Sequence, residues 1–239
     1  LGEVVVPTPA AVLAGLELYA TKWGELIAID LGGATTDVYS IASGCSLDDT
    51  MQSVGLMPPY AHRTVEADLG MRSSAGTAIS AATPLLSQLT RAADLPACDW
   101  PSFATTASQA EWLPANELEA AQEQLLARAC VQQAVNRHVG FVETVATPQG
   151  RSYLLRGKDL SSVRQIIGIG GAIKFSRNPG FILAGALQQA GELQLMKPSE
   201  ASFQCDAAHV LFAAGLLAAS YPECALKLLE QTLQLLPGT

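Results

Sequence analysis

LIAIDLGGATTDVYSI, residues Leu26 to Ile41, decides the fold of this chain. Leu26, Ile27, Ala28 and Ile29 form a short apolar run that delivers Asp30 to the end of a buried strand. Val38, Tyr39, Ser40 and Ile41 resume a β-favouring pattern, with Leu31, Gly32, Gly33, Ala34, Thr35 and Thr36 between. Glycines at such a turn let backbone N–H groups approach phosphate oxygens without an intervening Cβ, and threonine hydroxyls add donors and acceptors. Asp30 repels phosphate and would instead grip Mg²⁺ or a metal-bound water. The plain alternative is an ordinary β-hairpin whose glycines serve only the turn, with Asp37 capping a bend.

A second segment, RQIIGIGGAIKF at Arg164 to Phe175, argues against that alternative. Ile166, Ile167 and Ile169 supply another buried strand, and Gly168, Gly170 and Gly171 permit close approach. Lys174 offers a cation, or an aliphatic stem for a flat ring to lie on. By itself G-x-G-G more often marks strand-to-helix packing. Neither segment is a dinucleotide-binding fingerprint, and no G-x-x-x-x-G-K-[ST] loop occurs in the chain.

DLGGATTD at Asp30 to Asp37, with GIGGAIKF at Gly168 to Phe175, resembles the second-lobe phosphate and adenosine motifs of the superfamily of actin, sugar kinases and heat-shock chaperone ATPases. VVVPTPAAVLAGLELYA at Val4 to Ala20, RTVEADLGMRSSA at Arg63 to Ala75, RGKDLSSV at Arg156 to Val163 and AAGLLAASYPECALKLL at Ala213 to Leu229 resemble the glutamate-mutase-associated MutL (GlmL) family. That family shares only an acronym with the mismatch-repair MutL. The resemblance implies a nucleotide-binding, chaperone-like accessory protein that maintains or reactivates an adenosylcobalamin-dependent mutase, with ATP and Mg²⁺ as cofactors. Asp30 and Asp37 would be the catalytic carboxylates, Asp30 on the metal side and Asp37 orienting the hairpin. Gly32, Gly33, Thr35 and Thr36 would cradle phosphates; Gly170 and Gly171 would lie against the α-phosphate and ribose, and Lys174 beside the adenine. Ala34 stands where the chaperones carry a third glycine. A first lobe with its own hairpin is expected to precede this one in a longer polypeptide, and this chain alone is expected to bind nucleotide poorly. The other class open to it is a protein-docking module with no functional ATP site.

Composition suits a compact domain with a substantial core: 239 residues, 49% of them hydrophobic. Only 14 Lys+Arg stand against 22 Asp+Glu, which disfavours a nucleic-acid surface. Cys45, Cys98, Cys130, Cys205 and Cys224 include no C-x-x-C, so they read as reduced thiols of a cytoplasmic protein. His62, His138 and His209 are isolated and read as surface or satisfied core histidines. The longest apolar stretches, such as Val210 to Ala219, fall short of the roughly 20 residues a membrane span needs.

Along the chain, a strand at Val4 to Val6 precedes a helix to about Tyr19, with Thr8 as N-cap and Pro9 in its first turn. Gly44 to Pro59 is turn-rich, and Thr64 to Ala67 offers a strand leading through Asp68 toward the cleft. Residues 73–140 are expected to form a helical insert, comprising a helix over Ser73 to Ala93, a loop over Leu95 to Pro114, and a helix over Asn116 to Val139. That last helix opens on an Asn116/Glu119 capping box and buries Val131, Val135 and Val139. Glu143 to Leu155 reads as a hairpin turning at Pro148, Gln149 and Gly150. Arg156, Lys158 and Asp159 read as a solvated loop, with a phosphate or an acidic partner as the alternative. Further helices are expected over Pro179 to Ala190, over Asp206 to Ala219, capped by Asp206 and buried on most sides, and from Pro222 with a stripe of Leu226, Leu229, Leu233 and Leu236. The architecture is α/β, a ribonuclease H-like mixed five-stranded sheet flanked by helices, forming a second, C-terminal lobe over residues 1–239.

Overall fold

A computed structural model describes residues 6–46, 50–148 and 150–237. The helix α1 (Thr8–Trp23) leads into β1 (Leu26–Leu31) and β2 (Thr36–Ile41), followed by β3 (Met51–Ser53) and β4 (Ala61–Glu66). Three helices come next: α2 (Ala75–Ala92), α3 (Trp100–Ala107) and α4 (Glu117–His138). The hairpin β5 (Phe141–Thr147) and β6 (Gly150–Arg156) precedes β7 (Gln165–Ile169), the short α5 (Gly171–Lys174) and α6 (Pro179–Leu183). Then come β8 (Ser202–Asp206), α7 (Leu211–Ala218), α8 (Pro222–Thr232) and β9 (Leu233–Leu235).

The fold is mixed α/β, as expected, with a main sheet in the order β4-β2-β1-β7-β8-β9. β1, β2 and β4 are antiparallel neighbours, and β7 and β8 add in parallel to β1. Six strands replace the expected five. The extra one is β9, antiparallel to β8, where Leu233 was expected to continue a helix. Leucines at 233, 235 and 236 satisfy either periodicity, and Leu236 N–H bonding to the Phe203 carbonyl at 2.8 Å settles it as an edge strand. A second sheet, β3-β6-β5, takes β3 from the segment expected to be turns.

One face of the main sheet packs against α4, with α2 against α4 and α3 against α2, and together they bury Leu86, Trp100, Leu126, Val131, Val135 and Val139. The other packs against α1, α7 and α8 through Val12, Leu16, Tyr39, Ile167, Leu211 and Leu229. Helix α4 starts as expected: Asn116 Oδ1 accepts from Glu119 N–H at 2.9 Å, and Glu119 Oε2 accepts from Ala115 N–H at 2.7 Å. Asn116→Ala is accordingly expected to lower the unfolding free energy by about 1 kcal/mol in a urea titration, with an unchanged m-value.

Several local expectations are corrected. Val4 and Val5 lie outside the described residues, and Val6 is not in a strand. Pro7 is the N-cap of α1 and Thr8 its first residue, and the helix runs on to Trp23, where Gly24 stops it at φ 88°. The turn residue Gln149 is also outside the described set. Trp100 to Ala107 is helical because Asp99 caps it, accepting from Ser102 N–H at 3.2 Å. The helix from Pro179 ends at Leu183 and tightens into a 3-10 turn at Ala184–Ala186. There Gly185 lies so close to α4 that a Cβ would fall 2.8 Å from the Arg128 carbonyl oxygen. Asp206 ends β8, so α7 starts only at Leu211, and Phe212, Leu216 and Leu217 of that helix are exposed.

Lys158 is fully buried, the largest departure from expectation. Its ammonium donates to Ser40 Oγ (3.2 Å) and to the Pro59 and Tyr60 carbonyls (3.0 and 2.8 Å), tying the segment after β6 beneath β2 and β4. Burial pulls its pKa down to about 8. His138 is a satisfied core histidine, its ring nitrogens 2.8 Å from Thr64 Oγ1 and 2.9 Å from Ser40 Oγ. Burial, with His62 and Lys158 nearby, holds its pKa down at about 3.

Candidate functional site

β1 and β7 are parallel neighbours with Asp30 in register with Ile169, so the strand ends carrying the two glycine motifs emerge side by side. They touch. A Cβ on Gly170, which stands at φ 101°, would fall 2.4 Å from the Leu31 carbonyl oxygen and 3.3 Å from Asp30 Oδ1. Only glycine fits there, by conformation and by space alike.

Above this junction opens a cleft of about 480 Å³, lined on one side by Leu31, Gly32, Gly33, Gly170 and Gly171. The opposite wall comes from Leu113, Pro114, Ala120, Glu123 and Gln124, at the start of α4 and just before it. Met71, Arg72, Phe175 and Arg177 complete the rim. Phe175 and Leu113, three-quarters exposed, give the mouth two flat apolar surfaces.

The hairpin itself is braced from beneath. Gly32 N–H donates to the Thr35 carbonyl at 2.9 Å, closing the turn. The Gly32 and Gly33 carbonyls accept from Met71 and Arg72 N–H at 3.0 and 2.7 Å. Thr36 is buried and donates its hydroxyl to the Leu69 carbonyl at 2.7 Å, so it is spent on holding the turn after β4. Gly70 lets that turn lie against the hairpin, since a Cβ there would fall 2.5 Å from the Ala34 carbonyl carbon.

Asp30 lies below the cleft rather than in its lining, against Gly170. Its carboxyl pKa is raised to about 6, first by burial, then by Asp37 and Asp206, with Arg63 opposing. Asp37 sits directly across the β1–β2 pair from Asp30 and is engaged by Arg63, whose Nη2 and Nε donate to Asp37 Oδ1 at 2.8 and 3.2 Å. Asp206 is engaged too, its carboxylate accepting from Val210 and Leu211 N–H at 3.1 and 3.0 Å, at the start of α7. Asp30 is, among the described residues, the one of the three whose carboxylate has neither an ion-pair partner within bonding distance nor a helix N-terminus against it; Arg63 acts on it only across its bond to Asp37. Among the described residues, no group of three or more His, Cys, Asp or Glu side chains is placed to share a metal ion.

The structure therefore gathers Asp30, Gly32, Gly33, Gly170 and Gly171 at one place, with Thr35 half-buried at the hairpin turn. Thr35, Thr36, Asp37 and Lys174 do not line the cleft. Lys174 places its ammonium 4.9 Å from the Phe175 ring, and its charge partly offsets the burial that lifts the Cys205 thiol to about 11. Asp68 is taken up by Arg137, which forks onto both of its oxygens at 2.7 and 2.9 Å. Sequence reasoning did not name Arg63, Arg72, Glu123, Phe175 or Arg177 as site residues, and gave Asp206 only as a helix cap, which its bonds from Val210 and Leu211 N–H bear out. Arg63 and Arg72 bracket the quoted stretch RTVEADLGMR, and that pair of cations was the available signal.

No helix among the described residues is long and apolar enough to cross a membrane. The sequence profile of the family described as "MutL protein" matches residues 1–233. The chain is 37% identical over 243 aligned positions to "Protein MutL" of Clostridium tetanomorphum, covering 98% of this chain and 52% of that protein. It thus spans about half the length of the curated relative it matches. On the strength of the family match over nearly the whole chain, the chain belongs to the MutL protein family.

Proposed function

We propose that this chain is the nucleotide-binding lobe of a chaperone-like accessory factor that maintains or reactivates an adenosylcobalamin-dependent mutase of the glutamate mutase or aminomutase type. The observation that carries the reading is the meeting of two glycine motifs, more than a hundred residues apart in sequence, at the floor of one cleft beside the desolvated carboxylate of Asp30. Membership of the MutL family supports the mutase as the partner.

The residues present fit magnesium ATP. Gly32, Gly33, Gly170 and Gly171 present backbone without side chains, the geometry on which phosphate oxygens bind. Mg²⁺ characteristically takes one or two carboxylates and completes its shell with phosphate oxygens and water; Asp30, just beneath the floor of the cleft and without an ion-pair partner among the described residues, would be the carboxylate to hold it. Phe175 and Leu113 would flank the base, while Arg63 keeps Asp37 neutralised beside Asp30. When bound, the nucleotide would supply the free energy of phosphate release for exchanging damaged cobalamin.

The second reading, a docking module of the same fold without a working ATP site, rests on Ala34 at the exposed hairpin tip, where a Cβ limits backbone approach. Calorimetry with magnesium ATP separates the two. Binding is expected for a longer polypeptide that restores the remainder of a full-length relative, and little or none for this chain alone. Binding by neither would leave the docking module.

A further inference from the structure

Arg72 ends the turn after β4 and stands between the glycine hairpin and the helical insert. Its N–H donates to the Gly33 carbonyl at 2.7 Å, and a Cβ on Gly33 would touch the Arg72 Cβ at 3.3 Å. Its guanidinium leaves that contact for the insert: Nη2 donates to Glu123 Oε1 at 2.6 Å, and the group lies 5.3 Å from the Trp112 ring centroid. Nη1 returns to the Met71 carbonyl at 2.8 Å, fixing the side chain to its own turn. The pair is four-fifths buried on both sides, so solvent screens it less than an open surface pair.

The same turn is gripped by α4 a second time. Arg137, 14 residues beyond Glu123 and about 21 Å along the helix, pairs with Glu66 at 2.7 Å as well as forking onto Asp68. The five residues from Asp68 to Arg72 are therefore held to α4 by charge at one end and the other. These residues also supply bonds that brace the hairpin from outside it: the Leu69 carbonyl accepts from Thr36, and the Met71 and Arg72 amides donate to Gly32 and Gly33.

We infer that Arg72 is a positioning residue through which the insert sets the shape of the glycine hairpin, so that occupation of the cleft and the conformation of the insert around Trp112 and Glu123 are coupled. Glu123 both lines the cleft and holds Arg72, so a ligand that engages it acts on the hairpin from the far wall. The ligand half of this statement rests on the nucleotide reading above. The hairpin half does not.

Hydrogen exchange on the free chain tests the second half. Glu123→Gln removes one charge, and among the described residues Glu123 bonds to Arg72 and to no atom of the hairpin, so the variant is expected to keep its fold. It is expected to speed exchange of the Gly32, Met71 and Arg72 amides about tenfold, while amides between β5 and β6 keep their rates. Arg72→Met is expected to do the same. Unchanged rates at those three amides in Glu123→Gln would overturn the inference. In the longer polypeptide with magnesium ATP, the amides of residues 119–124 should gain protection in the wild type and not in Glu123→Gln; equal protection in both would overturn the coupling to the cleft. A wild type that binds no nucleotide sinks the nucleotide reading, and the free-chain rates still decide the role of Arg72.

Discussion

Asp30→Asn is expected to stabilise the free chain at pH 8 while strongly weakening magnesium-dependent nucleotide binding in the longer polypeptide. The Asp30 carboxyl has its folded pKa raised from 3.8 to about 6, chiefly by burial. Between those values the folded state holds a proton that the unfolded chain releases. The favourable contribution is therefore fully present below pH 3.8 and is lost as pH rises through about 6. Roughly two pKa units at 1.36 kcal/mol each place the loss at about 2 to 3 kcal/mol. Asparagine carries no charge at any pH, so its advantage over aspartate should be near zero at pH 3.5 and reach this size above pH 7. Urea titrations of both proteins at the two pH values measure it. Superimposable curves at pH 8 would mean that the carboxylate is not desolvated. The accompanying loss in magnesium ATP affinity is expected to be about 100-fold, the scale for truncating one partner of a buried charge contact. An undiminished affinity would remove Asp30 from the metal side. Stability gained where function is lost is the ordinary signature of a site that holds an unfavourable charge for use.

The second large effect lies away from the cleft. Helices α1 and α7 cross with their backbones in contact through Gly15 and Gly215. A Cβ on Gly215 would fall 1.7 Å from the Ala11 carbonyl oxygen and 3.0 Å from the Gly15 amide nitrogen. No rotamer change relieves such an overlap, because both partners are main chain. Gly215→Ala must push the helices apart and loosen Val12, Leu16, Leu211 and Ala214, which they bury together. Overpacking a tight core costs about 1–3 kcal/mol and occasionally more, and a backbone clash this close belongs at the upper end, at about 3 kcal/mol. Gly15→Ala, whose Cβ would fall 2.8 Å from the Leu211 carbonyl oxygen, should cost less. Gly76→Ala in α2, where a Cβ meets nothing within 4 Å, should be neutral or stabilising by about 0.5–1 kcal/mol. Urea midpoints in the order Gly76→Ala, Gly15→Ala, Gly215→Ala, from most to least stable, would confirm the crossing; a wild-type-like Gly215→Ala would refute it. The crossing also serves the site, since the first amides of α7 hold the Asp206 carboxylate beside Asp30.

Local pattern determined a good deal. The apolar run before Asp30, the β-rich run after Thr36 and the isoleucines before Gly170 fixed three strands of the main sheet, because a strand buried on both faces has few other sequences open to it. The Asn116/Glu119 box located the start of α4 to the residue, since its bonds join neighbours in sequence. The two glycine motifs likewise named the floor of the cleft, where the absence of side chains is itself the signal.

Tertiary structure alone decided the rest, and the reason each time is a partner remote in sequence. Lys158 reads as solvated until Ser40, Pro59 and Tyr60 surround its ammonium. Leu233 to Leu235 becomes a strand because β8 offers an open edge to pair with. The exposed side of α7 cannot be told from its buried side in LFAAGLLA, where nearly every residue is apolar and only the crossing with α1 chooses between faces. The far wall of the cleft comes from α4, and Arg72 faces Glu123 across 51 positions of chain. The sequence thus determined three central strands and the glycines at the floor of the cleft; packing decided the edge strand β9 and which charged groups stand around those glycines, because a side chain's partners depend on the path of the whole chain.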